Sequence, residues 1–267
     1  MELKFSGLKV DAFKDFLAKS DISYKQMLEF QGEDALFKAH PPNKIYINYQ
    51  SIALTDLFDS VATESKNIRL PLVSLKHLIK IFGLYKTSKI EKVDGVIDCK
   101  EIVGADNEVY YKGVSIKFSH KQFNAKVIAS DYDITPYMEK KMWENFTSSK
   151  PIWTFTLTPE QISQIVELSS IYGEKDKTPV VNIVLNSESS FIRSRDDSKK
   201  KDLWSIPIID PIADGMKQID SFVSMAFFDF VDKKIAHTCR VFSKDGKEFI
   251  IVECSERSKY LIPLLKA

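Results

Sequence analysis

The most reactive side chains in this sequence do not gather. Its four histidines, His40, His77, His120 and His237, are scattered, and none pairs with another His, Cys or acid at a metal-ligand spacing. Asp131/Asp133 and Asp196/Asp197 are carboxylate pairs of the type that hard divalent ions take. Each pair sits in a loop-like stretch with lysines nearby, which favours solvation over metal binding. The three cysteines, Cys99, Cys239 and Cys254, are odd in number and far apart, giving neither a disulfide framework nor a zinc pattern. Cys239 and Cys254 fall in strand-like runs, where a thiol acts as a small hydrophobe. There is no G-x-x-x-x-G-K-S/T loop, no G-x-G-x-x-G, no H-E-x-x-H and no G-x-S-x-G elbow. With only nine glycines, a glycine-rich phosphate cradle is not expected. No catalytic residue, metal or cofactor is assigned. An enzyme whose groups converge from distant segments stays open as an alternative.

The chemistry that remains is electrostatic. Lys14 and Lys19, and then Lys76, Lys80, Lys86 and Lys89, place cations on or just beyond two expected helices. Facing one surface, they would suit phosphate groups. The competing reading is that exposed helix faces simply carry lysine, and spacing alone favours it. Arg193–Lys201 joins two expected strands. Its mixed charge reads as solvated rather than anion-binding.

The elements that must position these lysines follow from periodicity. Val10, Phe13, Phe16 and Leu17 make one apolar stripe, predicting a helix over Val10–Lys19 after a strand at Leu3–Phe5. Strands follow at Met27–Phe30, Ala35–Lys38 and Ile45–Tyr49, with the breaker Pro41-Pro42-Asn43 before the last. Ser51–Phe58 reads as a strand or a short helix. A second helix runs over Ser74–Tyr85, with Ser74 as N-cap. Further strands are expected at Lys89–Val93, Val96–Glu101, Glu108–Lys112, Val114–Ser119 and Phe123–Ala129, with turns at Asn107 and Lys112-Gly113.

The second half begins in the same way. Pro151–Leu157 reads as a strand. Thr158-Pro159-Glu160-Gln161 then opens a helix to about Tyr172, with Thr158 and Gln161 spaced as a capping box. Its exposed side is expected to carry Gln161, Gln164, Glu167 and Ser170. Strands follow at Val180–Leu185, Ser190–Arg193, Leu203–Ile206 and Phe222–Phe228, the last leading to a helical turn that carries Lys233 and Lys234. Three strands close the chain around Lys244-Asp245-Gly246-Lys247, a strong hairpin turn. A unit of one helix and several strands therefore recurs, which suggests two similar domains. Residues 1–130 and 151–267 are read as these domains, and 131–150 as the connector.

Composition agrees. The chain has 267 residues, 44% of them hydrophobic and 28% charged, enough for two ordinary domains. A net charge of +1 gives no global steering toward nucleic acid or membrane, though a local basic patch remains compatible with it. The first residues lack a signal-peptide core, and no apolar run approaches the roughly 20 residues of a spanning helix. The reading is an intracellular protein.

The order of elements from Pro151 to Leu265 resembles the second domain of the DNA polymerase sliding clamps of T4-like bacteriophages. These are cousins of the proliferating cell nuclear antigen. The first half fits the same plan through Val10–Lys19 and Ser74–Tyr85. The resemblance implies an α+β chain of two similar clamp domains, each of antiparallel sheets with two short helices. It implies a non-catalytic, head-to-tail homotrimeric ring in the cytoplasm (the host's, for a virus). Its partners would be double-stranded DNA, a DNA polymerase and a clamp loader, with no membrane.

Helices would line the hole, making Lys14, Lys19, Lys76, Lys80, Lys86, Lys89, Lys233 and Lys234 the DNA-binding candidates. The helix Glu160–Tyr172 carries no lysine, so the lining would be unevenly charged. A polymerase tail would dock near the connector, where Tyr137, Met138, Met142, Trp143 and Phe146 form a dense apolar set. Packing at a domain interface is the alternative for that set. The rival functions are a monomeric DNA-binding accessory protein, and an enzyme with a dispersed site or a phage structural protein.

Overall fold

Strands dominate because segments of period-two alternation, such as Lys92–Cys99, are joined by short apolar runs buried on both faces, such as Met27–Phe30. In Glu2–Lys9 every second side chain up to Phe5 is buried, as a strand with one face on a core requires. The computed structural model describes residues 1–19, 26–39, 46–62, 67–103, 107, 109–130, 140–172, 180–196, 201–215, 217–224, 228, 231–255 and 257–266. The chain forms two units, Met1–Pro42 with Asn48–Met138, and Asn43–Ile47 with Glu139–Ala267.

Unit 1 runs β1 (Glu2–Lys9), α1 (Val10–Leu17), β2 (Gln26–Gln31), β3 (Asp34–Ala39), β4 (Ile47–Ala53), α2 (Leu54–Leu57), β5 (Ser60–Val61), β6 (Ile68–Leu72), α3 (Leu75–Thr87), β7 (Lys92–Val103), β8 (Val109–Ser119) and β9 (Ala125–Ile128). Unit 2 runs α4 (Lys140–Thr147), β10 (Trp153–Leu157), α5 (Pro159–Tyr172), β11 (Val180–Leu185), β12 (Phe191–Asp196), β13 (Lys201–Pro207), β14 (Ile212–Ala213), β15 (Ile219–Ser224), β16 (His237–Lys244), β17 (Lys247–Ser255), β18 (Ser258–Pro263) and β19 (Leu265–Lys266). This is an α+β fold of mostly antiparallel strands with few short helices.

The repeat is visible strand by strand. In unit 1, β1 pairs with β5 and β7, β2 with β3 and β6, β3 with β4, β7 with β8, and β8 with β9. In unit 2, β10 pairs with β14 and β16, β11 with β12 and β15, β12 with β13, β16 with β17, and β17 with β18. Each of these pairings of the first unit therefore recurs with its strand numbers raised by nine. α1 and α5 both follow the first strand of their unit. The units differ where β6 pairs in parallel with β8, and where β15 pairs with the terminal β19.

Several boundaries move for physical reasons. Ser51–Phe58 is both of the expected forms, with β4 ending at Ala53 and α2 beginning at Leu54. The segment 92–103 is one strand and not two. A Cβ at Gly95 would collide with the Lys117 carbonyl and the Phe5 ring, so this glycine marks close approach and not a break. Gly113 likewise lies inside β8, where the register with β7 shifts beside Cys99 and a Cβ would press on Leu70. Asn107 is at positive φ, as its expected turn requires, and so are Asp245 and Gly246 between the paired Lys244 and Lys247.

The capping box forms in α5 and does more than expected. The Gln161 N–H donates to Thr158 Oγ1 at 3.2 Å, and the Thr158 N–H donates to Gln161 Oε1 at 2.9 Å. Gln161 Nε2 also donates to the Pro207 carbonyl in β13 at 2.7 Å. Gln161 is therefore buried, not on the exposed side of the helix. Gln161→Ala should cost about 1–2 kcal/mol in urea unfolding, through the lost cap and an orphaned Pro207 carbonyl.

His237 is buried at the start of β16, its Nε2 2.7 Å from the Asp232 carbonyl and its Nδ1 without a partner among the described residues. Burial holds its pKa below the ordinary 6.5, with Asp232 opposing the shift. The native state thus keeps a neutral ring that the unfolded chain protonates. Its stabilising contribution is full above the unfolded pKa and is lost as pH falls from there through the folded pKa. The melting-temperature difference between wild type and His237→Gln should therefore move against wild type as pH drops from about 7 to about 5.

Cys99 and Cys239 are buried, and burial pushes the Cys99 thiol up to about 11 and the Cys239 thiol higher still. Both stay protonated and act as packing groups.

Candidate nucleic-acid and partner interface

The two longer helices of unit 1, α1 and α3, lie against each other through aromatic packing. α1 buries Val10, Phe13, Phe16 and Leu17, and α3 buries Leu75, Leu78, Phe82 and Tyr85. Phe13 meets Phe82 edge-on at 4.9 Å, and Phe82 meets Phe118 of β8 edge-on at 5.0 Å. The Ser74 hydroxyl caps α3 by accepting from the His77 N–H at 3.2 Å. This packing leaves the polar faces of both helices toward solvent, but they are not alike. α3 contains no acid and exposes Lys76, Lys80 and Lys86. α1 exposes Asp11 and Asp15 around a half-buried Lys14, with Lys19 exposed in the turn beyond. The cationic helix of unit 1 is therefore α3.

Lys86 pairs with Asp11 across the helices at 2.9 Å, and Asp11 holds the ammonium pKa above its usual value. Lys89 ends α3 and does not open a strand. Its φ of +57° is left-handed, and the N–H groups of Lys89 and Ile90 donate to the carbonyls of Lys86 and Tyr85, a Schellman closure. A Cβ in this conformation costs about 1 kcal/mol or more, so glycine is the residue that the position favours.

In unit 2, Lys233 and Lys234 are exposed in a turn rather than on a helix, and the Lys234 N–H donates to Asp232 Oδ1 at 2.9 Å. α5 exposes Glu160, Gln164 and Glu167 and has no basic residue. Arg193 is not a solvated loop cation, because its Nε donates to Asn182 Oδ1 at 2.7 Å. The structure thus sets Lys76 beside Lys80 and Lys86 beside Lys89. Lys9 and Lys92, which are not among the candidate lysines of the sequence, join the second pair around one depression.

Of the apolar partner candidates, Tyr137 and Met138 lie outside the described residues. Met142 and Trp143 fall in α4, but their side chains lie outside them too. Phe146 packs edge-on against Phe249 at 5.3 Å. Lys244 Nζ donates to the Asn145 carbonyl at 2.8 Å, holding the end of α4 against the β16–β17 hairpin. Beside this contact is a cleft of about 330 Å³ lined by Phe146, Phe249, Asn145, Lys244, Asp245 and Lys247.

Asp131, Asp133 and Asp197 lie outside the described residues. Among those described, no group of three or more His, Cys, Asp or Glu is placed to hold a metal. No helix among them is long and apolar enough to cross a membrane.

No protein-family model matches the sequence, and no curated protein does. Solved structures match over nearly the whole chain. The PCNA of Thermococcus kodakaraensis aligns with a TM-score of 0.62 and 11% identity, covering 99% of this chain and 100% of that one. The fold is that of the sliding clamps. The DNA polymerase sliding clamp of Bacillus subtilis aligns with a TM-score of 0.65 and 12% identity. The β clamp of Helicobacter pylori, solved with a DNA ligase peptide, aligns with a TM-score of 0.65 and 13% identity. Each of these two covers 99% of this chain, which spans 64% and 66% of their respective lengths.

Proposed function

We propose that this protein is a replication sliding clamp: a non-catalytic ring of three copies that encircles duplex DNA and tethers a polymerase. The observation that carries this reading is the duplicated clamp unit, with an acid-free, lysine-bearing helix exposed on unit 1. On this reading α1 and α3 face the duplex. Lys76, Lys80, Lys86 and Lys89 make loose phosphate contacts, with Lys14, Lys19, Lys233 and Lys234 in support. Such contacts position without reading sequence, so sliding stays easy while the ring topology prevents escape. The uneven charge of α3 and α5 makes unit 1 the main contact.

Ring closure falls to the open lateral edges. Among the described residues β9 pairs only with β8, and β13 only with β12. These edges expose Ile128 and Leu203, which are 66% and 40% accessible. An open edge with an exposed apolar side chain is a template for another strand. β9 of one copy adding to β13 of the next joins copies head to tail and closes at three. The cleft beside Phe146 and Phe249 takes a short apolar tail of the polymerase. A clamp loader opens the ring, and the work is done in the cytoplasm, as in the T4-like phage clamps whose element order this chain resembles.

The test is retention on nicked circular DNA. A clamp stays bound through gel filtration at about 200 mM salt and is lost when the circle is linearised. Equal loss from circle and line would leave a groove-binding accessory protein instead.

A further inference from the structure

We infer that the far end of the β7–β8 hairpin is a docking edge for an extended segment of another protein, with the pattern apolar, any residue, basic. The site lies in unit 1, apart from the cleft beside Phe146, and needs neither the ring nor the duplex.

The ladder itself makes the edge. The Cys99 N–H donates to the Met1 carbonyl at 2.8 Å, and the Met1 ammonium donates to the Cys99 carbonyl at 3.0 Å. In an antiparallel strand every second residue turns its backbone polar groups to the same side. Glu101 and Val103 therefore turn theirs to the side of β1, as Cys99 does. Among the described residues β7 pairs only with β1 and β8, and nothing lies beside it in line with β1 beyond Cys99. The N–H and C=O groups of Glu101 and Val103 stand open there. Val103 is 61% exposed, and its cross-strand partner Val109 is 50% exposed.

The other unit fills the equivalent place. Its β16–β17 hairpin is joined by the Ile152 N–H, which donates to the Val241 carbonyl at 2.8 Å. Past that point Lys217 Nζ donates to Ser243 Oγ at 2.8 Å and pairs with Glu248 at 2.8 Å, while Lys244 is held to the end of α4. The β7–β8 end has no such cover among the described residues.

The ladder also selects the occupant. A row of open donors and acceptors along a sheet edge is satisfied by an added strand. A strand in line with β1 runs antiparallel to β7. Its residue opposite Val103 comes first, and its residue opposite Glu101 comes two places later. By alternation both lie on the face where Ile97 and Cys99 are buried. Val103 and Val109 favour an apolar side chain at the first place. Glu101 is exposed, with its carboxylate accepting from the neutral Tyr111 hydroxyl at 3.1 Å, and favours Lys or Arg at the second.

The probe is an end-capped peptide of threonines with one Val and, two places later, one Lys, added to the full chain at about 1 mM. The readout is hydrogen exchange of the amides over Lys100–Val103. Exchange in wild type should slow about twofold or more, and less with a peptide carrying Glu in place of Lys. It should not slow with a peptide N-methylated at its Val and Lys, which keeps the side chains and loses the donors. Val103→Pro removes an N–H that points away from β8, so it should keep the hairpin and abolish the protection at Glu101. Glu101→Lys should reverse the preference to the Glu peptide, and this reversal decides the matter if Val103→Pro fails to fold. No slowing with any peptide would overturn the proposal, as would slowing by the N-methylated peptide or no preference between Lys and Glu. Slowing that follows protein concentration alone would make a second copy the occupant, and the proposal would fall.

Discussion

Replacing Lys76 and Lys80 together with Glu should reduce retention on nicked circular DNA about tenfold or more, with no loss of fold. Both lysines are exposed, one helical turn apart, on a helix with no acid. The double reversal turns two phosphate contacts into two repulsions on the face assigned to the duplex. Each phosphate contact contributes about 0.9 to the slope of log K against log salt, so the slope should fall by about 1.8. Lys76→Gln with Lys80→Gln should lose the same slope with a smaller drop in affinity, because it removes attraction without adding repulsion. Thermal midpoints should stay within a few degrees, since neither side chain is buried. A doubly reversed variant that loads and holds like wild type would show that α3 faces away from DNA.

Ile128→Asp and Leu203→Asp should each convert the trimer to monomer. Wild type should sediment near three times 30.6 kDa, and each variant near 30.6 kDa, at micromolar concentration. The argument rests on the two open edges. A new carboxylate at either position is solvated in the free chain and desolvated in the joint, at a cost of several kcal/mol per joint. Inward-pointing charge on an edge strand is also the usual device that blocks edge-to-edge pairing. The monomers should remain folded, because both side chains are exposed within a single copy. A strictly monomeric wild type would remove the ring itself, and trimeric variants would move the joint to other edges.

How far the fold could be read beforehand depended on how local its causes were. β11, α5 and the β16–β17 hairpin are set by neighbours a few residues apart: the β-branched apolar run of Val180–Leu185, the Thr158–Gln161 box, and Asp245-Gly246. All were legible. Gly113 reads locally as a turn and Gly95 falls between two expected strands, because the groups that crowd them, Leu70 and Phe5 with Lys117, are supplied by other strands. Gln161 was placed outward for a similar reason, since the carbonyl that buries it lies 46 residues away in Pro207. The lysines of α3 could be seen from helical spacing. Lys9 and Lys92 could not, because only the folded strands carry them to Lys86 and Lys89. Phe146 stood out by composition, while its contact with Phe249 needed the chain to return a hundred residues later, an order of separation that no local pattern encodes.

The hydrogen bond from Gln161 to Pro207 joins two parts that otherwise have separate duties. One end closes the first turn of α5, and the other grips the strand assigned to the seam between copies. Peeling β13 away must therefore break a bond that also steadies the helix. The strand and the helix start behave as one mechanical linkage, and force applied at the rim reaches the first turn of α5 without a domain having to move.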